Sequence, residues 1–461
     1  MCTLISKYNV AGPRYTSYPT VPYWDQDNFS LKLWKERLQK SFQETNIRSG
    51  QNNDTNEGIS VYIHLPYCEN MCTFCGCNKR ITKNHEVEVP YIKSVIKEFV
   101  LYYKLFDTKP KIKQLHVGGG TPTFFSPEHL DRLLTGIFTI AKKTKDCELS
   151  FEGHPNNTTK EHLAALSAHG FRSVCYGVQD YNATVQKAIN RIQPYHNVMR
   201  ATIEARAEGY DSVGHDVIYG LPFQTQDDVI ETIRKTITLQ PDRIAFYSYA
   251  HVPWIKGNGQ RGFKEENLPA AHQKQKQYQI GKKMLIHAGY AEIGMDHFAL
   301  KTDALYIAQQ KGTIHRNFMG YSPNKTEIMI GLGVSAIGDS WDGFAQNVKN
   351  IEEYQHLVNN DILPIFRGHL LTREDLIIRK HILNLMCRFE TSWIDESLLF
   401  SELPDVLKKL KELENDKLIK INTNKITVTK KGRPFVRNIC LPFDLRLQRK
   451  KPETQLFSMT V

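Results

Sequence analysis

From residue 60 onward, short runs rich in β-branched and aromatic residues alternate with longer stretches whose apolar residues recur at i, i+3 and i+4. That rhythm predicts βαβ units and a parallel sheet. Residues 60–63 form the first predicted strand, and the helix after it carries Val89, Ile92, Ile96, Phe99, Val100 and Tyr103 on one face. Residues 114–117 form the second, running into Gly118, Gly119, Gly120, Thr121 and Pro122; Ser126 then caps a helix with Pro127 in its first position. Residues 148–152, 173–178, 212–219 and 243–249 give four more strands, and a Thr225 to Asp228 capping box precedes the last helix of the series. Six βα units in a row predict an α/β fold on an open or partial barrel. Ligands in such folds gather at the C-terminal strand ends.

The flanks follow other patterns. Residues 12–19, GPRYTSYP, have neither helical nor strand period, and residues 1–42 read as an N-terminal arm. Residues 43–58, QETNIRSGQNNDTNEG, are nearly free of apolar side chains and predict a polar linker. The barrel with its extension then occupies 59–370. Beyond it, short helices near 373–385 and 405–412 lead to two brief strands, 418–421 and 426–428. This resembles a small winged-helix-like domain over 371–461, a shape that commonly serves as a packing module or lid.

The chain has 461 residues, enough for two or three domains, and 41% apolar content, enough for a sizeable core. Its first residues lack the pattern of a signal peptide, and no run approaches the roughly eighteen apolar residues of a membrane span. A cytoplasmic protein is expected. Lysine and arginine outnumber aspartate and glutamate by 60 to 49, a net charge of +11 that admits nucleic acid, a polyanionic small molecule or an acidic protein as partner. The charge is spread out. The one dense basic run, 446–451, reads as a solvated end, so no nucleic-acid site is expected.

Cysteines change the picture. Cys68, Cys72, Cys75 and Cys77 crowd into ten residues, while Cys2, Cys147, Cys175, Cys387 and Cys440 stand singly. Thiolates suit zinc or iron–sulfur clusters. A CxxxCxxC loop can hold three corners of a cluster and leave the fourth open for chemistry. Structural zinc usually takes a second pair of ligands downstream, and none follows here. A second motif, Gly331, Gly333 and Ala336 with Glu352 after it, fits G-x-G-x-x-A, but turn sequence follows it where a dinucleotide site needs a helix.

The cysteine loop in its setting, Tyr62-Ile63-His64-Leu65-Pro66-Tyr67-Cys68 through Cys77-Asn78, resembles the signature of radical S-adenosylmethionine (SAM) enzymes. More narrowly, the chain resembles the oxygen-independent coproporphyrinogen III oxidases. Residues 12–19, 118–123, 177–180, 216–222, 249–251, 294–298 and 331–336 extend the resemblance over almost the whole length. It implies a partial (β/α)6 barrel of the radical SAM type, with Cys68, Cys72 and Cys75 holding a 4Fe-4S cluster. Tyr62, Gly119, Glu152 and Ile337 would contact a first SAM. Phe74, Gly120, Thr121, Gln179, Arg191, Asp216 and Ala250 would contact a second. The alternative is a related haem chaperone without decarboxylase activity; Cys77 and the 12–19 arm argue against it.

The implied reaction converts two propionates of coproporphyrinogen III to vinyl groups by way of a 5′-deoxyadenosyl radical. A flavodoxin or ferredoxin-type electron donor and a monomeric state are expected with it. Arg14, Tyr15 and Tyr18 are candidates for a lid over the substrate cavity. Two departures from the family pattern stand out: Gly153-His154-Pro155-Asn156 after Glu152, and His215 before Asp216. They bear on the third and fifth strand ends.

Overall fold

The computed structural model describes residues 2–51, 58–254, 259–260 and 262–460. Strand β1 (Ile59–Leu65) leads into the cysteine loop, where β2 (Tyr67–Cys68) and β3 (Arg80–Ile81) form a short parallel pair. Strands β4 (Lys111–Gly119), β5 (Lys142–Gly153), β6 (Ser173–Gln179), β7 (Ser212–Tyr219) and β8 (Arg243–Ser248) follow, with helices between them. Next come β9 (Ala291–Ile293), β10 (His297–Ala299), a hairpin of β11 (His315–Asn317) and β12 (Gly320–Ser322), then β13 (Met329–Leu332), β14 (Ile337–Asp339), β15 (Gly343–Asn347) and β16 (Ile365–Leu370).

The six strands expected of the partial barrel are present and parallel, in the order β1, β4, β5, β6, β7, β8, and β13 lies parallel to β1 as a seventh. Antiparallel strands extend both edges: β14, β15 and β16 beyond β13, and β10 and β9 beyond β8. The period of two along each strand sorts the side chains. Val61, Ile63, Leu115, Val117, Phe151, Val174 and Val213 are almost wholly buried against the helices. Those helices, α3 (Glu88–Tyr103), α4 (Pro127–Ile140), α5 (Lys160–Ala168) and the longer helix Tyr195–Ala207, supply Ile92, Phe99, Leu133, Leu163 and Ala201 to the same core. The alternate positions, Tyr62, His64, His116, Glu152, Cys175 and Asp216, face the barrel interior and are mostly polar.

The flanks differ from expectation. Helix α1 (Cys2–Tyr8) is followed by α2 (Leu31–Gln51), which runs through most of the stretch read as linker. Trp34, Leu38 and Phe42, spaced at i and i+4, are buried in the main core, with Phe42 stacked on Phe106 at 4.0 Å. That apolar first half anchors the helix, and the polar second half continues it; residues 52–57 of the stretch lie outside the described residues. The arm is also docked. Leu4, Ile5, Tyr8, Tyr15 and Tyr18 join the core of the C-terminal part.

In that part, β17 (Glu390–Ser392), β18 (Ile419–Asn422) and β19 (Lys425–Val428) make an antiparallel sheet in the order β17, β19, β18, beside helices Arg373–Arg388 and Leu403–Asn415. The basic tail is not simply solvated. Arg446 pairs with Asp375 at 2.7 Å and Arg449 with Glu374 at 2.6 Å, both acids in the first turn of Arg373–Arg388. No helix among the described residues is long and apolar enough to cross a membrane.

Candidate active site

The cysteine loop leaves the C-terminal end of β1 and is pinned by main-chain and side-chain bonds. Arg80 N donates to Pro66 O at 2.8 Å, Thr73 N to Ile189 O at 3.0 Å, and Asn190 Nδ2 to Met71 O at 2.7 Å. Cys68 is buried, Cys72 and Cys75 are half-buried, and Cys77 is exposed. Two donors aim at sulfur: Thr121 Oγ1 lies 3.3 Å from Cys68 Sγ, and Arg191 Nη1 lies 3.6 Å from Cys72 Sγ. A hydrogen bond with Cys77, then the Lys79 charge, brings the Cys75 thiol below its ordinary range against the opposing effect of burial. Burial pushes Cys68 up to about 11. A thiolate at neutral pH is a ready metal ligand.

Among the described residues no three His, Cys, Asp or Glu side chains gather closely enough to hold a single metal ion. Three thiols carried on one pinned loop, with donors aimed at two sulfurs, are soft ligands of the kind an iron–sulfur cluster takes. Glycine lets the loop seat: a Cβ at residue 120 would lie 2.7 Å from the Pro66 carbonyl and 2.9 Å from Cys68 Sγ.

Gly119 and Glu152 lie at the ends of β4 and β5, and Tyr62 lies in the middle of β1, beside His116 of β4. Tyr62 stacks on His116 with ring centroids 6.1 Å apart, and its hydroxyl lies 3.1 Å from His64 Nδ1. Gly119 has φ +124, and a Cβ there would lie 2.7 Å from Leu65 O, so only glycine fits. Its N–H donates to Glu152 Oε2 at 3.4 Å, while Glu152 Oε1 lies 3.5 Å from His116 Nε2. Burial favours the neutral acid, but His116 and the Gly119 N–H outweigh it and hold the Glu152 carboxyl below its ordinary range. Ile337 lies on the other side of β1 from Gly119 and Glu152. It sits on β14, two strands from β1, and packs against the cluster of Trp24, Phe344 and Leu371.

The second set surrounds the other side of the loop. Phe74 packs on the cluster of Val185, Ile189, Ile218, Leu221 and Tyr249. Arg191 Nη2 donates to Gly177 O at 2.7 Å and its Nη1 faces Cys72, so it acts on Asp216 through its charge and not through a hydrogen bond. Asp216 instead accepts from Cys175 Sγ at 3.2 Å, and burial pushes its carboxyl up to about 7. Gln179 has φ +66, and its Oε1 is buried without a partner, as is the Nε of Arg191. Buried polar atoms left unpaired are costly, and a polar ligand would satisfy them. Gly120 and Thr121 complete the wall beside Cys68. Ala250 is linked to the cysteine loop through Gln260, whose Nε2 donates to Ala250 O at 2.9 Å and Phe74 O at 3.1 Å.

His64, His116, Cys175 and Gln260 were not among the expected site residues. For the first three the signal was present as polar residues on the inner-face alternation of apolar strands. Gln260 lies in a loop with no period to mark it. The two departures are accounted for locally. His215 turns to the outer face of β7, is fully buried, and meets Thr202 Oγ1 at 3.0 Å. His154 shapes its own turn, its Nδ1 accepting from Asn156 N at 3.2 Å. Gly331 and Gly333 lie at the end of β13, and strand β14 follows the motif in place of a helix, so Gly338 and Asp339 of the stretch read as a turn are strand. Tyr15 and Tyr18 are core residues, each 2% exposed, so they form no lid; Arg14 alone of that trio reaches outward, to Ser248 O at 3.0 Å and Asp296 at 3.4 Å.

Residues 62–236 match the radical SAM superfamily. The oxygen-independent coproporphyrinogen III oxidase of Helicobacter pylori is 37% identical over 449 residues, 96% of each chain. The protein of that name from Escherichia coli is 36% identical over 466 residues, 99% of this chain and 98% of its own. The solved structure of Escherichia coli coproporphyrinogen III oxidase, described as a radical SAM enzyme, superposes with a TM-score of 0.86 at 34% identity, covering 96% of this chain and 98% of that one. On this full-length similarity, the chain belongs to the oxygen-independent coproporphyrinogen III oxidase family within the radical SAM superfamily.

Proposed function

We propose that this chain performs the oxygen-independent oxidative decarboxylation of two propionate side chains of coproporphyrinogen III to vinyl groups, giving protoporphyrinogen IX in haem biosynthesis. The observation that carries this reading is its 37% identity, over 96% of its length, to a relative of that activity by name. Cys68, Cys72 and Cys75 would hold a 4Fe-4S cluster by three thiolates. When bound, cluster and SAM supply a 5′-deoxyadenosyl radical able to take a hydrogen from a propionate β-carbon.

The chain's own residues then have defined tasks. Tyr62, Gly119, Glu152 and Ile337 would bind the first SAM, with the ionised Glu152 accepting hydrogen bonds. Gly119 would keep the wall thin enough for close approach. Phe74, Gly120, Thr121, Gln179, Arg191, Asp216 and Ala250 would hold a second SAM, whose polar ends meet the unpaired atoms of Gln179 and Arg191. The parallel sheet and its helices shield the reacting carbons from water.

The rest of the reading follows from the same relationship. A flavodoxin or ferredoxin-type donor with an acidic surface suits a protein of net charge +11. The chain acts as a cytoplasmic monomer, organised as arm, barrel over 59–370 and C-terminal domain over 371–461. Iron and sulfide analysis of anaerobically purified protein tests the cluster. The wild type is expected to carry both and Cys72→Ala neither, and zinc in place of iron would overturn the assignment.

A further inference from the structure

A cavity of about 420 Å³ opens where three parts of the chain meet, with no cysteine in its lining. Helix Ala271–His287 and the turn between β9 and β10 form one wall, Ile5 and Arg14 of the arm a second, and residues 430–437 a third. Eight of the described lining side chains are lysine or arginine, against two acids, Glu292 and Asp296. Both acids are already engaged. Glu292 pairs with Lys282 and, at 3.2 Å, with Arg433; Asp296 pairs with Arg14 at 3.4 Å.

Among the described residues neither Lys274 nor Arg437 is in an ion pair. Arg437 is 5% exposed and donates to main-chain carbonyls, among them Pro13 O and Met459 O, each at 2.9 Å. Lys274 donates to Tyr249 O at 3.4 Å. Arg433 is paired with Glu292 through Nη1, but its Nε is buried without a partner. Burial, then the charges of Arg14 and Arg437, push Lys274 down to about 8; burial, then Arg14, push Arg437 down to about 9. Cations crowded together and partly desolvated cost free energy that a bound anion offsets. Beside them the wall is apolar, with Tyr219, Tyr278, Ile286 and Phe435. A roomy, largely apolar cavity with a few convergent charged groups is the usual form of a small-molecule site.

We infer that this cavity binds a small anion with an apolar body, its carboxylate or phosphate group against Arg437, Lys274 and Arg433 and its body against Tyr278 and Phe435. Its lining shares no residue with the two sets that would contact SAM, and the inference does not rest on the proposed reaction. Titration calorimetry on the anaerobically reconstituted full chain tests it with three probes sharing one ring system: 2-naphthoate, 2-naphthyl phosphate and the uncharged 2-naphthol. At least one of the two anions is expected to bind at one site at least about tenfold more tightly than 2-naphthol, and the better of them identifies the headgroup. Saturating SAM is expected to leave that binding unchanged. Charge reversal at the exposed Lys283 and Lys430 lining the same cavity, in the variant Lys283→Glu/Lys430→Glu, is expected to weaken binding by about tenfold at an unchanged melting temperature. Equal binding of 2-naphthol, displacement by SAM, unaltered binding in the double variant, or no binding of either anion would overturn the inference.

Discussion

Arg191 spans two parts of the site: its Nη1 lies 3.6 Å from Cys72 Sγ, and its Nη2 donates to Gly177 O at 2.7 Å. A lysine carries the charge but cannot form that fork. Arg191→Lys is therefore expected to keep its iron and sulfide while losing turnover by about ten- to a hundredfold, the range of a lost charged hydrogen bond. Parallel metal analysis and steady-state assays would separate the two effects. Loss of iron in step with turnover would show that Arg191 holds the loop rather than a ligand.

Gly120 makes a steric prediction. A Cβ there would lie 2.7 Å from the Pro66 carbonyl and 2.9 Å from Cys68 Sγ, so the loop must shift, at about 1–3 kcal/mol for overpacking. Gly120→Ala is expected to bind less iron than the parent. Gly76→Ala, four residues before Arg80 in the same loop, meets no atom within 4 Å and is expected to bind as much as the parent. Equal iron in both variants would contradict the close approach.

Glu98 links stability to pH. It is buried and accepts from Gly333 N at 2.8 Å, Tyr354 Oη at 2.6 Å and Asn347 Nδ2 at 2.6 Å. Burial wins over these donors and pushes the carboxyl from 4.5 to about 7. The folded chain thus holds the proton more tightly than the unfolded chain. That contribution is complete below the unfolded value and is lost as pH rises through about 7. The melting temperature of Glu98→Gln relative to wild type is expected to rise between about pH 5 and pH 8. A difference that stays flat across that window would contradict it.

His215 tests which departures matter. Its ring lies on the outer face of β7 and meets Thr202 Oγ1, which gives its one proton to Val198 O at 2.8 Å and so accepts from the imidazole. His215→Phe leaves Thr202 its second partner, so a stability change of about 1 kcal/mol is expected with turnover unchanged. Denaturant melts beside steady-state assays would check it. A large loss of turnover at parental stability would place His215 in the chemistry after all.

Much of this architecture could be read before the fold was known. The parallel strands announced themselves because their outer faces must be apolar to pack on helices, as Val61, Val117 and Val174 do. The cysteine spacing was equally legible, since thiol chemistry restricts which residues can stand there. What escaped was tertiary. Residues 43–51 look like a linker because their polar surface hides that Trp34, Leu38 and Phe42 already anchor the helix. Tyr15 and Tyr18 look like ligands because no local period reveals that the C-terminal helices cover them. His116 is a lone polar residue in a strand until Glu152 is placed beside it on the neighbouring strand. The cationic cavity draws residues from 5 to 460, a convergence that no window along the chain contains.

The central claim is tested most directly by an anaerobic assay of reconstituted protein with coproporphyrinogen III, SAM and a reductant, reading porphyrinogen products by mass. Wild-type protein is expected to convert two propionates to vinyl groups with release of methionine, and Cys72→Ala to form neither product. Vinyl product from Cys72→Ala, or none from wild-type protein with its full iron and sulfide, would contradict the account.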